Sequence, residues 1–203
     1  MLAYFYHMGR IKTSNNTSRK DVIIEKAAIL FKEKGFKAAS MRELAEVVGV
    51  EAASLYNHIK SKNELLHEIC FSVANKYNEK LEQLELQQTT AIEKVENLLR
   101  FHIHGMVQSF EEVFVSDREW KHLSEPYLSN FQNQRKSYRK RFAAILEDGI
   151  RKKEIKKIDA TTAVLIMLHA ISGIESWHRS KQKISGKELE ENMIAILVGG
   201  LRK

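Results

Sequence analysis

The chain has 203 residues, 43% of them hydrophobic and 29% charged, with one proline, one cysteine and a formal net charge of +7. That is enough apolar material for a buried core in one domain or two small ones, and the lone Cys70 excludes an internal disulfide and suits a reducing compartment. One proline, few glycines and no alternating Val or Thr runs point to helices nearly throughout, and no apolar run reaches the roughly 20 residues needed to cross a bilayer.

Residues 1–17 read as a loose arm: MLAYFYHM is apolar but too short for a signal peptide, and translation can start at Met1 or Met8. Arg10 and Lys12 on that arm could meet a polyanion. Ser18 with Asp21 caps a first helix whose stripe is Ile23, Ala27, Leu30 and Phe31, and Gly35 ends it. Ser40 with Glu43 is a capping box for a short second helix carrying Leu44, Val47 and Val48 on one side. Gly49 suits the left-handed conformation that stops this helix and turns the chain.

From Glu51 a third helix sends Leu55 and Ile59 inward and leaves Ala52, Ala53, Ser54, Tyr56, Asn57 and His58 on its other faces. The small residues let a backbone approach a duplex closely, and the hydroxyls, amide and imidazole suit phosphates or base edges in the major groove. Ser61 with Glu64 is a further capping box, which puts Lys60 and Lys62 where free amides, helix dipole and ammonium converge on a phosphate. A solvated helical hairpin is the plainer reading of any one of these residues. Together they read as a helix-turn-helix.

The run from 23 to 66 resembles the N-terminal DNA-binding domain of TetR-family transcriptional regulators. Ala27, Leu30, Phe31, Gly35, Phe36, Ser40, Arg42, Leu44, Ala45, Leu55, Tyr56, His58, Lys62 and Leu65 stand in register with the family pattern. Ala53 replaces a common Gly or Pro, and Ile59 a common Phe. The resemblance implies that Arg42 reaches a base edge or phosphate, that Tyr56 and His58 touch the DNA backbone, and that Lys62 anchors a phosphate. With Ser54 and Asn57 these form the expected DNA-binding set.

Beyond Ser61 the fourth helix runs without a breaker through Leu65, Leu66, Ile69, Val73, Tyr77, Leu81 and Leu84, a rod able to carry displacement between body and head. Thr89 or Thr90 caps a fifth helix whose wide apolar band marks it as central. A short irregular helix bearing Phe114 and Trp120 follows, then a seventh starting at Ser124-Glu125-Pro126. Asp159 caps an eighth, running from Ala163 to Trp177, and Ser185 with Glu188 caps a ninth. The last two are apolar on more than one side, which a second copy would cover in a four-helix interface. A homodimer also sets two heads about 34 Å apart, as a palindromic operator requires. The expected division is an arm (1–17), a helix-turn-helix domain (18–62) and a ligand-binding and dimerisation domain (63–203), all-α with about nine helices.

In the proteins that this chain resembles, the C-terminal helices enclose a ligand pocket whose occupation lowers operator affinity. Expected lining residues are Phe101, His102, Met106, Trp120, Phe131, Met167, Ile171 and Trp177, for each of which core packing is the plainer alternative. HLSEPYL, ILEDGIRKKEI and GIESWHR further resemble regulators of fatty-acid and steroid catabolism that bind acyl-CoA thioesters. That resemblance implies that Arg135, Lys136, Arg139, Lys140 and Arg141, beside Lys152 and Lys153, receive the phosphates of coenzyme A; a solvated helix face is the alternative. The basic balance allows it: ten Lys and Arg face three acids between 134 and 157, against eleven and six between 10 and 62.

No His or Cys spacing resembles a zinc site, and nothing matches a phosphate-binding Gly-rich loop or a nucleophile elbow. The expectation is therefore a cytoplasmic homodimeric repressor of double-stranded DNA, without membrane attachment, cofactor, metal or catalytic residue, released by a small apolar effector for which an acyl-CoA is the sharpest choice. A rival keeps the DNA-binding head and makes the body a protein-interaction module. The sequence leaves repression and activation both open.

Overall fold

The computed structural model describes residues 18–181 and 184–202, so the arm with Arg10 and Lys12 lies outside the described residues. The described residues form ten α-helices: α1 Arg19–Lys34, α2 Met41–Val48, α3 Ala52–Leu55, α4 Lys62–Glu85, α5 Ala91–Gln108, α6 Phe110–Arg118, α7 Tyr127–Arg151, α8 Ala160–Ser172, α9 Ile174–Arg179 and α10 Gly186–Gly199. A 3₁₀ turn, Trp120–His122, links α6 to α7.

The helix starts follow their side chains. Ser18, Ser40 and Thr90 each accept from the amide three residues on, while Asp21, Glu43 and Glu93 accept back from the cap amide. Asp159 and Ser185 cap α8 and α10. At α4 only half of the expected box forms. Ser61 accepts from the Glu64 amide, but the Glu64 carboxylate reaches back to the Lys60 amide at 2.6 Å. Gly49 ends α2 at φ 77°, ψ 36°, and its N–H and that of Val50 close on the Ala45 carbonyl at 2.9 and 3.0 Å.

Two apolar clusters organise the molecule. The first joins α1, α2, α3 and the start of α4 through Ala27, Phe31, Leu44, Leu55, Ile59, Leu65 and Leu66, and continues past Lys62 to take in Ile69, Cys70, Val115 and Phe131. The second surrounds α5, which packs on α4, α6, α7, α8, α9 and α10, so the wide apolar band does mark the central helix.

Four local readings change. Val47 is half exposed instead of lying on the buried stripe of α2. The third helix is a single regular turn, although Asn57, His58 and Ile59 N–H groups still close on Ser54 and Leu55 carbonyls at 3.0 to 3.3 Å. Pro126, not Ser124, is the cap of α7. The expected eighth helix is interrupted at Gly173, which separates α8 from α9 and brings the described residues to ten α-helices, in keeping with the expected about nine. The stretch Ala160–Arg179 is long and apolar enough to cross a membrane by length and composition alone, but it is broken at Gly173. Val164, Met167, Ile171 and Ile174 nonetheless pack it into the core of the body.

Candidate nucleic-acid interface and internal cavity

Leu55 and Ile59 are fully buried and fix the third helix by its inner side, so Ala52, Ala53, Tyr56, Asn57, His58 and Lys60 are exposed and Ser54 is half-buried. Arg42 projects from α2 with its side chain 87% exposed, held loosely by Glu46 at 3.4 Å. Arg42, Tyr56, Asn57 and His58 are therefore solvent-exposed and carry groups suited to phosphates or bases.

Lys62 differs. Its ammonium points back into the protein and donates to the carbonyls of Phe36 and Ala39, both at 2.7 Å, and of Lys37 at 3.3 Å, while lying 4.6 Å from the Phe36 ring centroid. It clamps the α1–α2 turn to the start of α4. The same turn is held from the body side: Glu119 accepts from the Phe36 amide at 3.1 Å, and His122 stacks on the Phe36 ring at 5.8 Å. Lys34 pairs with Glu43, and with Ser40 it holds the Glu43 carboxyl down to about 2.

In the body, a cavity of about 420 Å³ opens between α4, α5, α6, α7 and α8. Of the residues expected to line it, His102, Met106, Phe131, Arg135, Arg139 and Ile171 do. The other four do not. Phe101 lines a neighbouring cavity of about 490 Å³ toward α1, because it stands on the other side of α5 from His102. Trp120 packs on Phe131 from the head side, ring centroids 6.1 Å apart. Met167 is 3% exposed within the core, and Trp177 donates to the Ile184 carbonyl at 2.9 Å. Tyr77, Asp117, Arg118, Gln134 and Tyr138 line the cavity and were not singled out for it. Their signal was weak: polar residues at 134 and 138, one helical turn apart, on an otherwise apolar side of α7.

The cavity wall carries polar as well as apolar side chains. His102 Nε2 meets Tyr138 Oη at 2.6 Å, and burial pushes the imidazole down to about 3, so it is neutral. Burial pushes the Tyr77 and Tyr138 phenols up, which keeps both protonated. Cys70, in the head cluster, is likewise raised to about 12 by burial and is an inert core thiol.

The cations sort by partner. Arg135 pairs with Asp117 at 2.9 Å and covers the Trp120 and Phe131 rings. Arg141 holds Glu85 at 3.0 Å, Arg118 holds Glu175 at 2.8 Å, and Lys152 holds Asp148 at 2.7 Å. Arg139 lines the cavity with no hydrogen-bond or ion-pair partner among the described residues, and desolvation followed by repulsion from Arg135 lowers its pKa. A half-buried, uncompensated guanidinium is what an anionic ligand group would neutralise. Among the described residues there is no cluster of three His, Cys, Asp or Glu able to hold a metal ion.

Comparison with known proteins agrees with this anatomy. Residues 23–69 match the family described as bacterial regulatory proteins, tetR family, and residues 88–201 match the tetracyclin repressor-like C-terminal domain. The HTH-type transcriptional repressor KstR2 of Mycolicibacterium smegmatis is 24% identical over 190 residues, covering 93% of each chain. The fatty acid metabolism regulator protein of Bacillus subtilis is 22% identical, over 88% of this chain and 93% of its own. Among solved structures, KstR2 of Mycobacterium tuberculosis superposes with a TM-score of 0.84 at 22% identity, covering 94% of this chain and 97% of that one. AibR in complex with isovaleryl coenzyme A and operator DNA superposes at 0.78 with 21% identity, over 89% and 98%. With both its N-terminal and its C-terminal domain accounted for, the chain belongs to the TetR family of transcriptional regulators.

Proposed function

We propose that this regulator is a cytoplasmic homodimeric repressor that binds a palindromic operator and leaves it when an acyl-CoA thioester enters the cavity. The observation that carries the reading is the connection between cavity and head: Phe131 and Arg135 on the wall bear on Trp120, and the adjacent Glu119 holds the turn that leads into α2. DNA contact is assigned to Arg42, Ser54, Tyr56, Asn57 and His58. Lys62 acts in support, since its ammonium is engaged with three carbonyls. Leu165 and Ile166 on α8 and Ile196 on α10 are exposed apolar side chains that a second copy would cover.

Within the cavity Arg139 supports an anionic effector, and Met106, Phe131 and Ile171 support an apolar one. A thioester of coenzyme A joins both properties, with Lys136 and Lys140 exposed on the same helix for its phosphates. AibR, whose fold this chain shares, was solved with such a thioester. A gel shift with the inverted-repeat operator tests the proposal. An acyl-CoA should release the protein and the corresponding free acid should not; equal effects of the two would refute the thioester assignment, and indifference between inverted repeats and random fragments would refute the repressor.

A further inference from the structure

Among the described residues the cavity wall carries three arginines, Arg118, Arg135 and Arg139, against one carboxylate, Asp117. The three are not equally free. Arg118 is engaged with Glu175 at 2.8 Å, and Arg139 has no hydrogen-bond or ion-pair partner among the described residues. Arg135 Nη1 donates to Asp117 Oδ1 at 2.9 Å, the only ion pair that either residue makes among the described residues. Their side chains are 32% and 39% exposed, so a solute can reach both. The wall's histidines are engaged elsewhere, His102 with Tyr138 Oη at 2.6 Å and His169 with the Leu165 carbonyl at 2.8 Å. Tyr77 Oη and Gln134 Oε1 have no hydrogen-bond partner among the described residues but are shut off from solvent, so the charged groups are what an entering ligand meets.

Arg135 and Arg139 stand four residues apart on α7, hence on one side of it as neighbours in space. Desolvation and then repulsion from Arg135 lower the Arg139 pKa, so the two guanidinium groups sense one another. A phosphate seated between such a pair gains charge-assisted hydrogen bonds from both. Here one of the two is already claimed. An entering anion meets Asp117 both as a like charge beside its seat and as the present holder of the Arg135 donors. The Arg135 guanidinium also lies 5.7 and 5.8 Å from the Trp120 and Phe131 ring centroids, contacts that do not depend on Asp117 and keep it in place when its anionic partner changes.

We infer that Asp117 competes with a phosphate group of the effector for Arg135, and so holds effector affinity below what the two arginines could supply. This rests on the acyl-thioester reading above and names the residue that tunes it. Arg139, which has no competitor, makes the first contact with the phosphate, and exchange of Asp117 for phosphate at Arg135 makes the second.

Isothermal titration calorimetry of the full-length protein with octanoyl-CoA tests this through a double-mutant cycle. Asp117→Asn and Asp117→Ser should each bind the thioester about three- to tenfold tighter than the parent protein does. In an Arg135→Gln background the same changes should gain less than about twofold, because nothing is left to compete for. A gain of equal size in both backgrounds would make Asp117 a general repelling charge, and unchanged or weaker binding in both Asp117 variants would make the ion pair part of the seat. Either result overturns the competition and leaves the thioester reading standing. Binding of octanoyl-CoA to none of these proteins, the parent included, overturns the thioester reading and this inference with it.

Discussion

The head and the body are both helices packed on helices, yet they are finished differently. In the head, Ile23, Ala27, Phe31, Leu44, Leu55, Ile59, Leu65 and Leu66 are at most 1% exposed, and the turns are pinned by capping boxes and by Lys62. The body holds an open cavity of about 420 Å³, leaves two buried polar atoms unpaired among the described residues and shows apolar side chains on α8 and α10 to solvent. The head is built to keep one shape and the body to be completed by other molecules. The body has fully buried side chains too, Val95, Leu98, Leu99 and Phe142 among them, so the difference lies in the open space and unpaired groups it keeps.

Point substitutions can break that contrast. Phe31→Ala in the close-packed head should cost the most, about 3–5 kcal/mol, whereas Val113→Ala on the cavity wall should cost about 1 kcal/mol or less because the removed atoms border space already present. Urea denaturation reads both, and similar costs would dissolve the distinction. The next effect belongs to the body alone. His102 titrates near 6.5 when unfolded but is held down to about 3 by burial, so unfolding takes up a proton between those values and stability falls as pH drops through that window. The slope should approach ~1.4 kcal/mol per pH unit near pH 5, and His102→Gln should remove it.

Within the head, Lys62→Ala should lower stability by about 1–3 kcal/mol, since it strips the donor from partly buried carbonyls, and should weaken binding to all DNA sequences alike. Arg42→Ala should leave stability within about 0.5 kcal/mol and reduce the salt dependence of DNA binding by about one unit. Thermal melts beside salt-titrated gel shifts distinguish them, and an unchanged melting point in Lys62→Ala would return that ammonium to the phosphate role. The smallest effect is at Glu43. Its carboxyl is depressed from 4.5 to about 2, so its contribution is present above 4.5 and lost as pH falls through 2. Glu43→Gln should flatten that acid limb and little else.

The head was readable from sequence because its determinants are local. A cap and its partner lie three residues apart, a left-handed glycine marks its own turn, and a helical stripe shows which side is buried. Lys62 shows where this fails. The family pattern suggests a phosphate contact, but the ammonium is claimed by a turn 23 to 26 residues earlier, a tertiary fact. The same holds in the body. His102, Met106 and Ile171 were found because apolar or amphipathic residues near the centre of a long band tend to meet whatever lies inside. Trp120, Met167 and Trp177 look no different in sequence, and only the placement of the 3₁₀ turn, α8 and α9 against the rest of the body decides which side chains reach the cavity. Tyr77 read as one more member of an apolar stripe, since nothing local tells a phenol with a partner from one without. The break at Gly173 was hidden for a related reason: that glycine keeps right-handed helical angles, so the interruption carries no turn signature.

Helix α4 begins at Lys62 beside the helix-turn-helix and, 24 residues long, ends at Glu85, where Arg141 of α7 holds it. At 1.5 Å per residue it is a stiff lever about 36 Å long, so pivoting it by ~5° sweeps its tip through ~3 Å. That is close to the 3.4 Å spacing of successive phosphates along the duplex axis. In the dimer proposed above, a change at the far end too slight to disturb the fold would therefore be enough to put a protomer out of step with its half-site by about one base pair.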